Sequence, residues 1–173
     1  MTQVILITGG ARSGKSNYAL NRALEAGARR PVFVATAKPL DREMAARIEA
    51  HRQSRPPVFR TVEAALELPE KLTELGSEPD VVIVDCLTLW LSNLVMAGLS
   101  DSTIAQRGQE LAQALRQAGF ASLVVSNEVG WGIVPENALA RRFCDLLGTL
   151  NQELAALADE VVLMVAGLPL RLK

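Results

Sequence analysis

The chain has 173 residues, a length that suits one compact domain with a sizeable core and leaves little room for a second. Its 18 basic and 19 acidic residues give a formal net charge of -1, without the basic excess that binding to nucleic acid or an anionic membrane requires. Any phosphate chemistry must therefore be local.

Residues 3–8 are a short β-branched run closed by Gly9-Gly10, and residues 16–26 carry helix formers up to Gly27, which predicts strand, turn and helix. Residues 31–36 predict a second buried strand. A helix follows over residues 41–55, with Asp41 as N-cap, Met44, Ala45 and Ile48 on one face, and Pro56-Pro57 as the stop. Residues 58–63 predict a short extended segment, 64–75 a helix, and 80–85 a strand with the continuous apolar pattern of a parallel-sheet interior.

The run over residues 81–99 is long and apolar enough to raise a membrane span, but Asp85, Thr88, Ser92 and Asn93 interrupt it, and a buried strand followed by a helix over 87–97 fits better. A polar helix over 102–118, a strand over 122–126, a helix over 138–157 and a strand over 160–165 complete the alternation, with residues 168–172 as an edge strand. This is the pattern of an α/β domain with a mainly parallel sheet flanked by helices and a ligand crevice at the carboxyl ends of the strands.

Cys86 and Cys144 lie far apart in apolar stretches, where buried reduced thiols are the ordinary reading. The apolar run Val4-Ile5-Leu6-Ile7 is too short for a secretory leader and runs straight into glycines, so the expected compartment is the cytoplasm.

Gly9-Gly10-Ala11-Arg12-Ser13-Gly14-Lys15-Ser16 matches G-x-x-x-x-G-K-[ST] and falls between a predicted strand and a predicted helix, the context a phosphate-binding loop needs. Small residues let backbone N–H groups curl around phosphate oxygens, and the helix that follows presents its unpaired N–H groups and positive dipole end to the same anion. Lys15 is placed to reach the β- and γ-phosphates. The Ser16 hydroxyl is a ligand for a magnesium ion shared with the nucleotide. Asp85, at the end of Val81-Val82-Ile83-Val84, supplies the strand-end carboxylate that partners such a metal, although a helix N-cap is the plain alternative for an acid in that place. The identity of the base does not follow from these residues.

Four segments resemble the bifunctional cobinamide kinase/guanylyltransferase family: the loop 8–16, the region around His51, Val84-Asp85-Cys86-Leu87-Thr88, and Ser126-Asn127-Glu128-Val129-Gly130-Trp131-Gly132-Ile133-Val134-Pro135-Glu136-Asn137. The loop motif is widespread, whereas the last segment is characteristic of this family. The resemblance implies a P-loop domain of the recombinase-like branch. It also implies phosphorylation of adenosylcobinamide by ATP or GTP, then transfer of GMP from GTP onto the resulting phosphate through a guanylylated histidine. A homotrimer is implied as well.

His51 is the only histidine in the chain and stands where the family keeps that carrier. Neutral imidazole is a good nitrogen nucleophile near neutral pH, and its phosphoramidate is reactive enough to pass the nucleotidyl group on. From the residues alone, packing on the Met44 and Ile48 face is the competing reading. The resemblance further implies nucleotide contacts from Arg52, Gln53, Ser54 and Arg55, from Glu63, and from backbone groups of Val34, Ala35 and Thr36, although the residues alone read as a solvated last helical turn, a surface charge after a strand, and core. Glu128, after the strand that leads to Asn127, is a candidate to orient or deprotonate the cobinamide hydroxyl or to help with the metal. Gly130 and Gly132 around Trp131, with Pro135 beyond, form a loop able to close on substrate, although turn chemistry explains the glycines equally well. Phe59 departs from the family's tryptophan, and Trp131 stands at a variable position. Two other readings stay open at this point: a plain P-loop kinase in which His51 is inert, and a nucleotide-dependent switch.

Overall fold

The computed structural model describes residues 3–39, 41–53 and 55–173. Seven strands form one sheet in the order β3-β2-β4-β5-β1-β6-β7. In chain order the elements are β1 (Val4–Gly9), α1 (Lys15–Glu25), β2 (Val32–Ala35), α2 (Arg42–Gln53), β3 (Arg60–Glu63), α3 (Leu68–Leu75), β4 (Val81–Asp85), α4 (Leu87–Met96), α5 (Asp101–Gln117), β5 (Ala121–Val125), α6 (Ala138–Leu157), β6 (Glu160–Val165) and β7 (Leu168–Arg171). Six strands run parallel and β7 turns back antiparallel on β6.

The sheet's two faces follow from the period of two in its strands. Val4, Leu6, Val32, Val34, Val82, Val84 and Val124 point to one side, where they pack with the apolar stripes of α3, α4, α5 and α6. Ile5, Ile7, Phe33, Ile83, Leu123 and Val125 point to the other side, where Ala19, Leu20 and Ala23 of α1 cover part of them. Helix α2 buries none of its residues. One face is thus closed by four helices and the other is left partly open beside α1.

The apolar run over 81–99 resolves into β4 and α4, and no helix among the described residues is long and apolar enough to cross a membrane. Asp41 caps α2 as expected, accepting a 2.7 Å hydrogen bond from the Met44 N–H. Helix α3 begins at Leu68 rather than at residue 64. The Ala64 N–H is still engaged by the Ala35 carbonyl at 2.8 Å, and Pro69, which needs no backbone donor, sits in the first helical turn. Cys86 is buried, but Cys144 is only half-buried, because it lies near the exposed end of α6.

A buried polar clasp joins the ends of β2 and β4. The Thr36 hydroxyl donates to the Cys86 carbonyl at 2.7 Å and accepts from the Cys86 N–H at 2.8 Å, and the Thr36 N–H donates to the Asp85 carbonyl. Asn93 on α4 completes it, its amide donating to the carbonyls of Thr36 and Ala65 at 2.8 and 2.9 Å. The Asp85-Cys86 peptide bond within the clasp is cis. Thr36→Val removes the hydroxyl at nearly constant volume and leaves the buried Cys86 N–H without its acceptor. The expected cost is about 1–3 kcal/mol, read as a lower urea midpoint with an unchanged m-value.

Candidate active site

The phosphate loop leaves β1 at Gly9 and enters α1 at Lys15, with Gly14 at φ 95° as the helix's first flanking residue. Gly9 has no room for a side chain: a Cβ there would lie 2.4 Å from the Met164 carbonyl oxygen and 2.9 Å from the Ser13 hydroxyl. The hairpin between β6 and β7 buttresses the loop from outside, the Gly167 N–H donating to the Ser13 carbonyl at 3.1 Å. Lys15 is buried and its ammonium donates to the carbonyls of Gly10 and Gly9 at 2.6 and 3.1 Å. Burial pulls the Lys15 pKa below its ordinary value, opposed by the negative charge available at Cys86 and Asp85.

A cavity of about 500 Å³ opens beside the loop. Ala11, Arg12, Ser13, Gly14, Lys15 and Ser16 form one wall, and Phe33, Ala35, Cys86 and Val125 from the open face of the sheet form its floor. Asp85 and Asn127 enter from the ends of β4 and β5. Met44, Arg47, Ile48 and His51, spaced three and four apart along α2, line the same cavity as a further wall. The helical face that the sequence leaves ambiguous between packing and chemistry is therefore a cavity wall, not a core contact. Ala45 is exposed and lies off that face.

Arg55 closes the same side. Its guanidinium lies 3.7 Å from the centroid of the Phe33 ring and donates to the Thr61 hydroxyl at 2.7 Å, while its buried Nε finds no acceptor among the described residues. Burial lowers the Arg55 pKa against the pull of Asp85, and the Arg52 charge lowers it further.

Ser16 and Asp85 present hard oxygen donors to the cavity beside the loop, which suits a magnesium ion that takes most of its ligands from a nucleotide. Asp85 is not a helix cap, since Cys86 occupies the N-cap position of α4 and no side chain caps that helix. Between β4 and β1 lies one strand, β5, so Asn127 and Glu128 emerge between the acid and the phosphate loop. Glu128 does not line the cavity but stands next to it, accepting from the Thr8 hydroxyl at 2.5 Å while its N–H donates to the Gly9 carbonyl.

The other sequence candidates lie outside the cavity wall. Val34 and Thr36 are fully buried, and the Thr36 polar groups are spent in the clasp. Arg52 and Gln53 are exposed on the last turn of α2, where Gln53 bonds Glu49 at 2.9 Å. Glu63 is exposed at the end of β3, paired in register with Ala35. Ser54 lies outside the described residues. Sequence reasoning passed over Phe33 as cavity floor and over Asn93 and Asn151 as buried amides. The signal for both amides was a polar residue at a core position of an apolar helical pattern, which demands internal partners.

The family described as cobinamide kinase / cobinamide phosphate guanyltransferase matches residues 5–172 of this chain. The chain belongs to this family. It is similar to the bifunctional adenosylcobalamin biosynthesis protein CobU of Salmonella typhimurium, at 40% identity over 98% of this chain and 99% of that protein, and to CobU of Escherichia coli at 41% over the same shares. The bifunctional adenosylcobalamin biosynthesis protein CobP of Pseudomonas aeruginosa is 41% identical over 97% of this chain and 96% of its own length. Among solved structures the RadB recombinase shares the fold, with a TM-score of 0.55 at 16% identity over 93% of this chain and 73% of that one. Family membership makes the chain a metabolic enzyme and sets aside the switch reading.

Burial and the neighbouring Asp85 charge push the Cys86 thiol up to about 11. Iodoacetamide at pH 8 is expected to label Cys144 in the native enzyme and to reach Cys86 only after denaturant is added. Peptide mapping reads the outcome, and fast native labelling of Cys86 would contradict the burial described.

Proposed function

We propose that both family reactions run from this one cavity, with His51 as the carrier of GMP. The observation that carries the proposal is that His51 lines the same cavity as the phosphate loop, within one helical face that also holds Met44, Arg47 and Ile48.

In the first reaction the aminopropanol hydroxyl oxygen of adenosylcobinamide attacks the γ-phosphorus of ATP or GTP. The bond to the β,γ-bridging oxygen breaks, the diphosphate leaves, and Glu128 takes the hydroxyl proton. The loop N–H groups and Lys15 hold the phosphates in line. Ser16 and Asp85 are the residues that would hold a magnesium ion, which supplies charge neutralisation between the phosphates.

In the second reaction an imidazole nitrogen of His51 attacks the α-phosphorus of GTP, an N–P bond forms, and pyrophosphate departs. An oxygen of adenosylcobinamide phosphate then attacks the same phosphorus, the N–P bond breaks, and adenosylcobinamide-GDP is released. Arg55, and Arg52 one turn from it, supply positive charge on the leaving-group side. Gln53, Ser54, Glu63 and Ala35 belong to this reading as contributors around the nucleotide, Glu63 through acceptance of guanine N–H groups, whereas Val34 and Thr36, buried with the Thr36 polar groups already bonded, serve only to hold the strand end that carries Ala35. The expected compartment is the cytoplasm, where nucleoside triphosphates are supplied.

We also propose a homo-oligomer, three copies by resemblance. Leu168, Leu170 and Leu172 stand exposed along the open edge of the sheet at β7, an apolar edge that a free monomer has reason to cover. Sedimentation equilibrium is expected to give three times the chain mass, and a monomer across the micromolar range would refute it.

Intact-protein mass spectrometry after incubation with magnesium and GTP is expected to show one added GMP, mapped to His51 under mildly alkaline conditions. His51→Ala should lose the adduct while retaining phosphorylation of cobinamide, and Lys15→Ala should lose both. Absence of any adduct with GTP binding intact would leave a plain kinase.

A further inference from the structure

Asn151 lies on α6 with 8% of its surface exposed, a buried amide among Leu147, Leu150 and Leu154. A buried amide with all its bonds made is costly to displace, so its partners report what it holds in place. Its Oδ1 accepts from the Ser126 hydroxyl at 2.6 Å. Its Nδ2 donates to the Asn127 carbonyl at 3.0 Å and, more weakly, to Glu128 Oε1 at 3.4 Å. One side chain therefore grips three consecutive residues where β5 ends, beside the cavity. The same stretch is held from two other directions, by the Thr88 hydroxyl accepting from the Asn127 N–H at 3.0 Å and by the Glu128 N–H donating to Gly9.

The effect on Glu128 is asymmetric. Oε1 receives both the Thr8 hydroxyl and the Asn151 amide, whereas Oε2 accepts from no described residue. Two donors on one oxygen fix the carboxylate's rotation and leave the other oxygen as the one able to meet a new proton. Beyond residue 128 the chain is anchored again at its far end, where Asn137 caps α6 and Arg141 donates to the carbonyls of Pro135 and Glu136. The exposed Trp131, Ile133 and Val134 fall between these two anchors. Asn151 thus separates the fixed start of this segment from its solvent-facing middle.

We infer that Asn151 is a positioning residue for phosphoryl transfer: together with Thr8 it aims Glu128 so that Oε2 faces the acceptor hydroxyl. The inference rests on the reading of Glu128 as the group that takes that proton. No bond in the reaction is made to Asn151 itself.

The test is a double-mutant cycle on cobinamide phosphorylation, with kcat and nucleotide KM measured for Glu128→Gln, Asn151→Ala and the pair. Glu128→Gln is expected to lower kcat by about a hundredfold, and Asn151→Ala by on the order of tenfold with nucleotide KM within about threefold. The pair should be no slower than Glu128→Gln alone, since Asn151 acts only through Glu128. Additive losses, or a rise in nucleotide KM without a fall in kcat, would mean that Asn151 merely supports the fold and would overturn the inference. A wild-type kcat for Glu128→Gln overturns the reading of Glu128 and the inference with it. Should Asn151→Ala fail to fold, Asn151→Leu keeps the side-chain volume among Leu147, Leu150 and Leu154 and removes the donors without adding charge, and the same kcat loss at constant KM is expected.

Discussion

The hydroxyl of Thr36, donating to Cys86's carbonyl and accepting from its N–H, is the constraint on which the site's geometry hangs. It fastens the ends of two adjacent parallel strands at the level where both chains leave the sheet. On one side of the clasp Asp85 is held at the cavity, and on the other the chain departs toward α2 and His51. Asn93 satisfies the Thr36 carbonyl that this departure would otherwise strand in an apolar interior. The ladder between β2 and β4 ends at the pair Ala35 and Asp85, and the clasp extends that shared reference to the residues at which the two chains part.

The division of labour between the sheet's faces follows from that geometry. Four helices close one side with Leu, Val and Trp side chains, among them the fully buried Trp90. This is where burial of apolar area stabilises the molecule. The other side is covered only in part, by α1, so Phe33, Ala35 and Val125 remain as a floor for a ligand. Placing β5 between β1 and β4 then brings Asn127 and Glu128 to the middle of the phosphate-binding edge.

Much of this was legible in the chain. The phosphate loop, the strand-end Asp85 and the alternation of strands and helices are local patterns, and each appears where its pattern placed it within a residue or two. The start of α3 was read four residues early, because the helix propensity of Ala64 and Ala65 says nothing of the Ala35 carbonyl that holds residue 64 to the sheet. The strand order, the cavity face of α2 and the partners of Asn151 are relations between residues far apart in the chain. Periodicity could show that Met44, Ile48 and His51 share a face, but not what that face looks upon. The exposure of Cys144 was hidden for the same reason: an apolar neighbourhood in sequence is not an interior in space.

Helix α2 carries a nucleophile candidate and two arginines at or beyond its last turn, yet buries no side chain. Only Met44 and Ile48 are half-buried, against the cavity, so the helix adds less to the folding free energy than the fully buried stripes of the four-helix side. Substitutions along it are expected to perturb the cavity wall more than the sheet and its four-helix side. The loop-bearing core and this helix are thus separable in what they owe to folding, so the wall of the cavity can vary while its phosphate-binding side is kept.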